Sequence, residues 1–552
     1  MRIACPLKSD RDVRIEFVPV SFGTNAADRR RSKPIESQRF RAPLLSIVLV
    51  VVFLLLSTQS SSAGAWPTPT SAPHPPIAEA PSPPPPPPRP IDIAPLAPPA
   101  PETLATAPAH VVTESEPLAG VSDGTMFLRS PDDAFIFFPN GRLQVDTYVF
   151  HSSDKVPNNS FLIRRARLEL AGWISNFVFF HLAGDFAAGV PAATGAPAVQ
   201  SNLNTTDDFV AIAPYGTLAI LQVGQYDAPF TLENRTSDKY FDFMERSITV
   251  RAFGIPDNKQ IGAMVHGYDS ARRFMYSLGL FNGDGQNFKN VDTNFDWMGR
   301  AWIAPLAFRG DGPLHDVTVG GSFWTGNRSS TLPPTSQTTQ GGFTFLSFSQ
   351  FTTSMTSGMP NTAVQLRQVG RMNAFAAELN APIAHKYGLR YEFVWKDSPL
   401  SEESLAANGT GTILGGATLK GYSMYGELWY WAIGDDLIIG DQQGLEPFPR
   451  YKRFGVKPPQ NGLMLAFRFE YLNEDVTEDA DAAALALGNR AVGKTRLTSY
   501  ELGVNYWRSK RFRASFNYVL NHFYQGAGAT PALATLPSAN EQEFLFRLAI
   551  AL

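Results

Sequence analysis

The chain has 552 residues and a formal net charge of −3, with 47 basic against 50 acidic side chains. That balance supplies no global field for nucleic acid or another acidic macromolecule. A single cysteine, Cys5, excludes a disulfide framework and a cysteine-rich metal site, and the eight histidines are scattered with no pair at ligand spacing. We therefore expect no metal, no cofactor and no nucleic-acid partner.

The one long apolar run, Leu44–Leu56, follows Arg39 and Arg41 and precedes the small residues Ala63-Gly64-Ala65. A charged flank, an apolar core and a small-residue site are the layout of a secretory signal. The run is too short to span a bilayer comfortably. Residues 1–65 are read as a signal region, with an uncleaved anchor as the alternative. The stretch before the run is longer than a signal requires, which predicts that translation starts further in. Residues 66–124 are Pro- and Ala-rich, with an unbroken proline run from Pro83 to Pro88. Such a segment is stiff, extended and unable to bury a core. It is expected to be a disordered linker, either a periplasmic spacer or a tail without a partner.

From Gly141 onward the pattern is two-residue alternation, with no strong helical period. In 142–150, Leu143, Val145 and Val149 oppose Gln144, Asp146 and Tyr148. In 387–396, Leu389, Tyr391, Phe393 and Trp395 oppose Arg390, Glu392 and Lys396. About sixteen such segments occur, each near the length a tilted strand needs to cross a bilayer. They run from 142–150, 161–174 and 177–187 through to 494–507, 511–521 and 541–552. The aromatic content of 12% suits interfacial belts.

The connections alternate as an outer-membrane barrel requires, with short inner turns and long outer loops. The inner turns include Ser175-Asn176, Gly216, Asp269–Arg272 and Arg508–Lys510. The third outer loop, about 226–258, is long, polar and irregular, and is expected to fold inward and narrow the pore. One connection, 433–461, falls on the inner side yet is long; either a strand pair is missed there or it is a large inner turn. The predicted fold is an all-β transmembrane antiparallel barrel of about 16 strands, occupying 125–552.

Several motifs then resemble a known family. They are "RRARLEL" (Arg164–Leu170), "VGQYDAPF" (Val223–Phe230), "TSDKYFDFMERS" (Thr236–Ser247) with the following "AFG" and "QIGAMVHG", "GLFNGDG" (Gly279–Gly285), the stretch Pro449–Pro458, and "LGVNYW" (Leu502–Trp507). In this order they resemble the phosphate-selective porins of the O and P type, over about residues 135–552. The resemblance implies a sixteen-stranded outer-membrane porin, usually a homotrimer in outer-membrane lipid. Its third outer loop forms the constriction, and lumen arginines and lysines guide anions. Here Asp227 stands where the family often carries a lysine, which favours an anion-preferring channel over a phosphate-specific one.

The first 124 residues carry 11 basic and 11 acidic side chains, leaving 36 against 39 in the remainder, so any anion preference is local. The candidate constriction residues are Arg235, Lys239, Arg246 and Arg251 in the loop, with Arg165 and Arg167 on the wall. A planar guanidinium pairs well with phosphate or carboxylate oxygens. The competing reading is structural: Arg165 and Arg167 pair with Glu169, Arg468 with Glu470, and Arg246 with a local acid. Asn282-Gly283-Asp284-Gly285 lacks the full calcium-loop spacing and is read as a turn. No Gly-x-Ser-x-Gly elbow or plug domain is present, so the chain is not read as an enzyme. The expected function is a passive channel for small anions; the alternatives are a non-selective porin or a barrel acting as an envelope anchor.

Overall fold

The computed structural model describes residues 117–551, less 123–124, 152–157, 176, 191–198, 256–257, 311, 330–336, 347–350, 353–362, 406–412, 439–460, 479–492 and 526–539. The signal region and most of the Pro-rich segment lie outside the described residues, as does Pro449–Pro458. Strands β1 (Phe135–His151), β2 (Ser160–Ile174) and β3 (Val178–Val190) lead to β4, a strand in two pieces (Val199–Thr205 and Asp208–Ile212). β5 (Ile220–Asp227), β6 (Lys259–Tyr268), β7 (Phe274–Phe281), β8 (Asp296–Ile303) and β9 (Thr318–Ser329) are short. β10 (Ala363–Ile383), β11 (Tyr387–Leu405), β12 (Ile413–Ile433), β13 (Gly462–Glu478) and β14 (Gly493–Ser509) are long. β15 (Phe512–Gln525) and β16 (Asn540–Ala551) complete the set.

Each strand pairs antiparallel with its neighbours, and β16 closes on β1 through Gln542↔His151 to Ala551↔Arg142. The result is a closed barrel of sixteen strands. Closure leaves no free sheet edge, the condition for spanning a bilayer with strands. The alternation seen in sequence maps onto its two faces. Leu143 and Val145 are exposed to the outside while Gln144, Asp146 and Tyr148 are buried within. Leu168, Leu170, Leu502, Phe546, Leu548 and Ile550 likewise face outward.

β12 pairs directly with β13, so the long 433–461 connection joins adjacent strands and hides no additional barrel pair. The short turns use the backbone conformations that tight hairpins need. Ala384 and His385 both have positive φ between β10 and β11. Ahead of the barrel, Ala119–Ser122 pairs with Thr125–Arg129, and that hairpin joins β1 through Leu128↔Phe137. The last residues of the 66–124 segment thus carry strand structure.

Candidate functional site

The loop between β5 and β6 runs along the lumen wall and carries two short helices, α1 (Leu232–Arg235) and α2 (Ile248–Phe253). Thr231 and Ser247 cap them through side-chain oxygens, accepting from Asn234 N (3.2 Å) and Val250 N (3.3 Å). Three further amides at their starts point into the wall. Leu232 N and Glu233 N donate to Glu392 on β11, and Ile248 N donates to Glu470 on β13. Wall carboxylates thereby satisfy donors that a helix start leaves without partners.

The loop's own acids bind wall arginines. Asp238 receives Arg142 of β1 together with Arg165 (2.7 Å) and Arg167 (3.4 Å) of β2. Asp242 pairs with Arg390 of β11 at 2.9 Å. Glu245 takes Nε and Nη2 of Arg164, at 2.8 and 3.0 Å, and Arg547 of β16 at 2.7 Å. Burial works to raise the Glu245 carboxyl, yet Arg164, Arg165 and Arg547 hold it well below the usual carboxylate range. A register shift opposite Gln144 and Val145 makes Arg164 the extra residue of a bulge. That is how two consecutive arginines both reach the loop.

These contacts give the motifs physical reasons. In "LGVNYW", a Cβ at Gly503 would lie 2.9 Å from the Phe243 ring, so glycine admits the loop to the wall. Asn505 Nδ2 donates to Asp242 O at 2.6 Å. In "VGQYDAPF", Gly224 has φ +136, and a Cβ there would lie 2.2 Å from Asp208 O. Gln260 of "QIGAMVHG" accepts the amides of Gly283 and Gly285 at 3.1 and 3.2 Å, fixing the Asn-Gly-Asp-Gly turn.

The six candidate cations separate accordingly. Arg235 donates to Asp227 O. Arg246 donates to the carbonyls of Glu233 (3.2 Å), Asn234 and Thr236 and lies over the Phe241 ring; its partners are backbone oxygens rather than the local acid expected. Arg251 reaches Gln340 O and Thr338 Oγ1. Arg165 and Arg167 hold Asp238, and Arg167 also holds Asp185 at 2.8 Å. Glu169, expected to pair with them, instead accepts from Arg142 and from Lys239 at 3.2 Å. The Arg468–Glu470 pair does form, at 3.1 Å. Asp227 is held by Lys259 at 2.9 Å, a lysine that it shares with Asp207 at 2.6 Å.

A second element inside the barrel was not legible in the sequence. Gln337-Thr338 and Thr344–Leu346, from the connection between β9 and β10, form a small hairpin. Gln337 donates to Glu474 (2.8 Å), Gln340 to Glu470 (2.6 Å) and Gly341 N to Glu543 (2.8 Å). Phe345 packs on Phe523 with ring centroids 5.7 Å apart. Length was the only sequence signal, because its anchors are amides that any polar loop contains.

Beside Lys239, at the end of the barrel with the short turns, lies a recess of about 90 Å³. Arg142, Lys239, Lys510, Arg511, Arg513 and Arg547 line it, with Asn140, Gln144, Tyr240, Trp507 and residues 549–551; no acid is among the lining residues. Arg142 and Arg547 are committed to acids next to the recess. Arg513 is held by neutral groups, Asn505 Oδ1 (2.8 Å) and Ser515 Oγ (2.7 Å), and lies over the Trp507 ring at 5.0 Å. Among the described residues it pairs with no carboxylate.

A closed sixteen-strand barrel, apolar outside and charged within, with a loop docked on its inner wall, defines an outer-membrane porin. The chain belongs to the phosphate-selective porin O and P family, whose sequence profile matches residues 138–530. No curated protein matches it. Among solved structures, the chain is similar to OmpT of Vibrio cholerae at 11% identity and a TM-score of 0.42, covering 77% of this chain and 100% of that one. The outer membrane channel DcaP of Acinetobacter baumannii gives 9% and 0.41, over 77% and 99%. An anion-selective porin from Comamonas acidovorans gives 9% and 0.39, over 76% and 100%.

Proposed function

We propose that the protein is a passive channel that prefers small anions, with the preference set at the recess beside Lys239. The observation that carries this reading is the imbalance of charge. The acids of the inward loop are bound to wall arginines, whereas the recess presents Lys239, Lys510, Arg511 and Arg513 with no acid in its lining. Positive charge gathered in a narrow lumen of low dielectric attracts counter-ions more strongly than the same charge in open water. Arg142 and Arg547 of the recess already hold acids, so a general preference for anions fits better than a dedicated phosphate site.

Purified protein in planar bilayers tests this. Ion-permeable steps with reversal potentials shifted toward the anion under a salt gradient are expected. An unshifted potential favours a non-selective porin, and no conductance favours an anchoring role. We further read the chain as a homotrimer, with residues 1–65 a signal region and the Pro-rich segment 66–124 a periplasmic spacer ahead of the 125–552 barrel.

A further inference from the structure

We propose that the recess is a subsite for aromatic carboxylates rather than for inorganic phosphate; this rests on the anion-preferring reading above. The recess sets cationic side chains beside two aromatic rings. Lys239, Lys510, Arg511 and Arg513 supply charge, while Trp507 and Tyr240 supply rings. Trp507 and Tyr240 belong to one apolar cluster, which fixes the ring face beside the charges.

One donor is set in advance for an oxygen acceptor. Arg513 has its Nε and Nη2 tied to Asn505 and Ser515 and its plane laid on Trp507, so its guanidinium is oriented before any ligand arrives. A carboxylate pairs with this guanidinium, and an attached arene packs on the Tyr240 and Trp507 ring atoms that line the recess. Phosphate brings more charge and more bound water, and leaves the two rings uncovered.

The test is blockade of chloride current through single channels of the full-length protein by sodium benzoate, sodium acetate and inorganic phosphate in turn. Benzoate is expected to block at about one tenth of the concentration that acetate needs. Trp507→Leu is expected to bring that ratio near one. Tyr240→Ala, on the loop rather than the wall, is expected to reduce it and serves if the Trp507 variant fails to assemble. Equal block by benzoate and acetate overturns the proposal, as does tightest block by phosphate. A reversal potential with no anion shift defeats the underlying reading instead, and is scored before any blocker is added.

Discussion

Arg468 on β13 donates from Nη1 to Glu233 of the inward loop at 3.1 Å, while its Nη2 donates to Glu501 at 2.6 Å and to the backbone oxygen of Glu245 at 3.1 Å. One buried guanidinium thus ties both halves of the loop to the barrel wall. Arg468→Ala leaves Glu233 and Glu501 buried without their cation. The expected cost is about 3–5 kcal/mol, the usual penalty for removing one member of a buried ion pair. It is read as a lower temperature for loss of the compact, heat-modifiable form on gels, with noisier single-channel current from a loosened loop.

Asp238 makes the opposite prediction for selectivity. It gathers Arg142, Arg165 and Arg167, and the first of these lines the recess. Asp238→Ala leaves three guanidiniums with less compensation. Anion preference is expected to rise while thermal stability falls, measured by reversal potential and heat modifiability on the same preparation.

The strands were legible because a membrane barrel writes its two faces as alternation. Leu143 against Gln144 and Phe546 against Arg547 need no tertiary information to read. The partners of the lumen charges were not legible. Arg167 and Glu169 share a strand face and look like a pair, yet Arg167 binds Asp185 and Asp238, and Glu169 binds Arg142 and Lys239. Loop 226–258 arrives from outside the local pattern and competes for those charges. The recess was partly legible: Lys239 was singled out, whereas Arg513 and Trp507 draw meaning only from the turn residues that face them.

Lys239 and Arg468 separate selectivity from architecture. Lys239 lines the recess and Arg468 lies under the loop with acids around it. Lys239→Glu is expected to weaken anion preference more than Arg468→Glu among channels that assemble. The reverse order, measured by reversal potential, places selectivity on the wall.

Protonation of Lys239 gives the channel a pH dependence. Burial lowers its ammonium to about 8, against the pull of Glu169 in the other direction, with Arg142 adding to the lowering. The group is charged below that value and neutral above it. Anion preference is therefore expected to fall as pH rises from 7 to 9, and Lys239→Arg is expected to keep it through that window, because arginine stays protonated there. Reversal potentials taken across the range in both proteins check the assignment.

The hairpin around Gln337–Leu346 covers acids as well as space. Its amides rest on Glu470, Glu474 and Glu543, and Arg251 fastens it to α2 through Gln340 O and Thr338 Oγ1. Replacing residues 337–346 with a short Gly-Ser linker removes those partners and exposes three wall carboxylates to permeating ions. Conductance is expected to rise because lumen volume is freed, and anion preference to fall because the exposed charge is negative. A wider channel with unchanged preference would show that the recess sets selectivity regardless of the wall acids. Unchanged conductance would show that the hairpin lies outside the ion path.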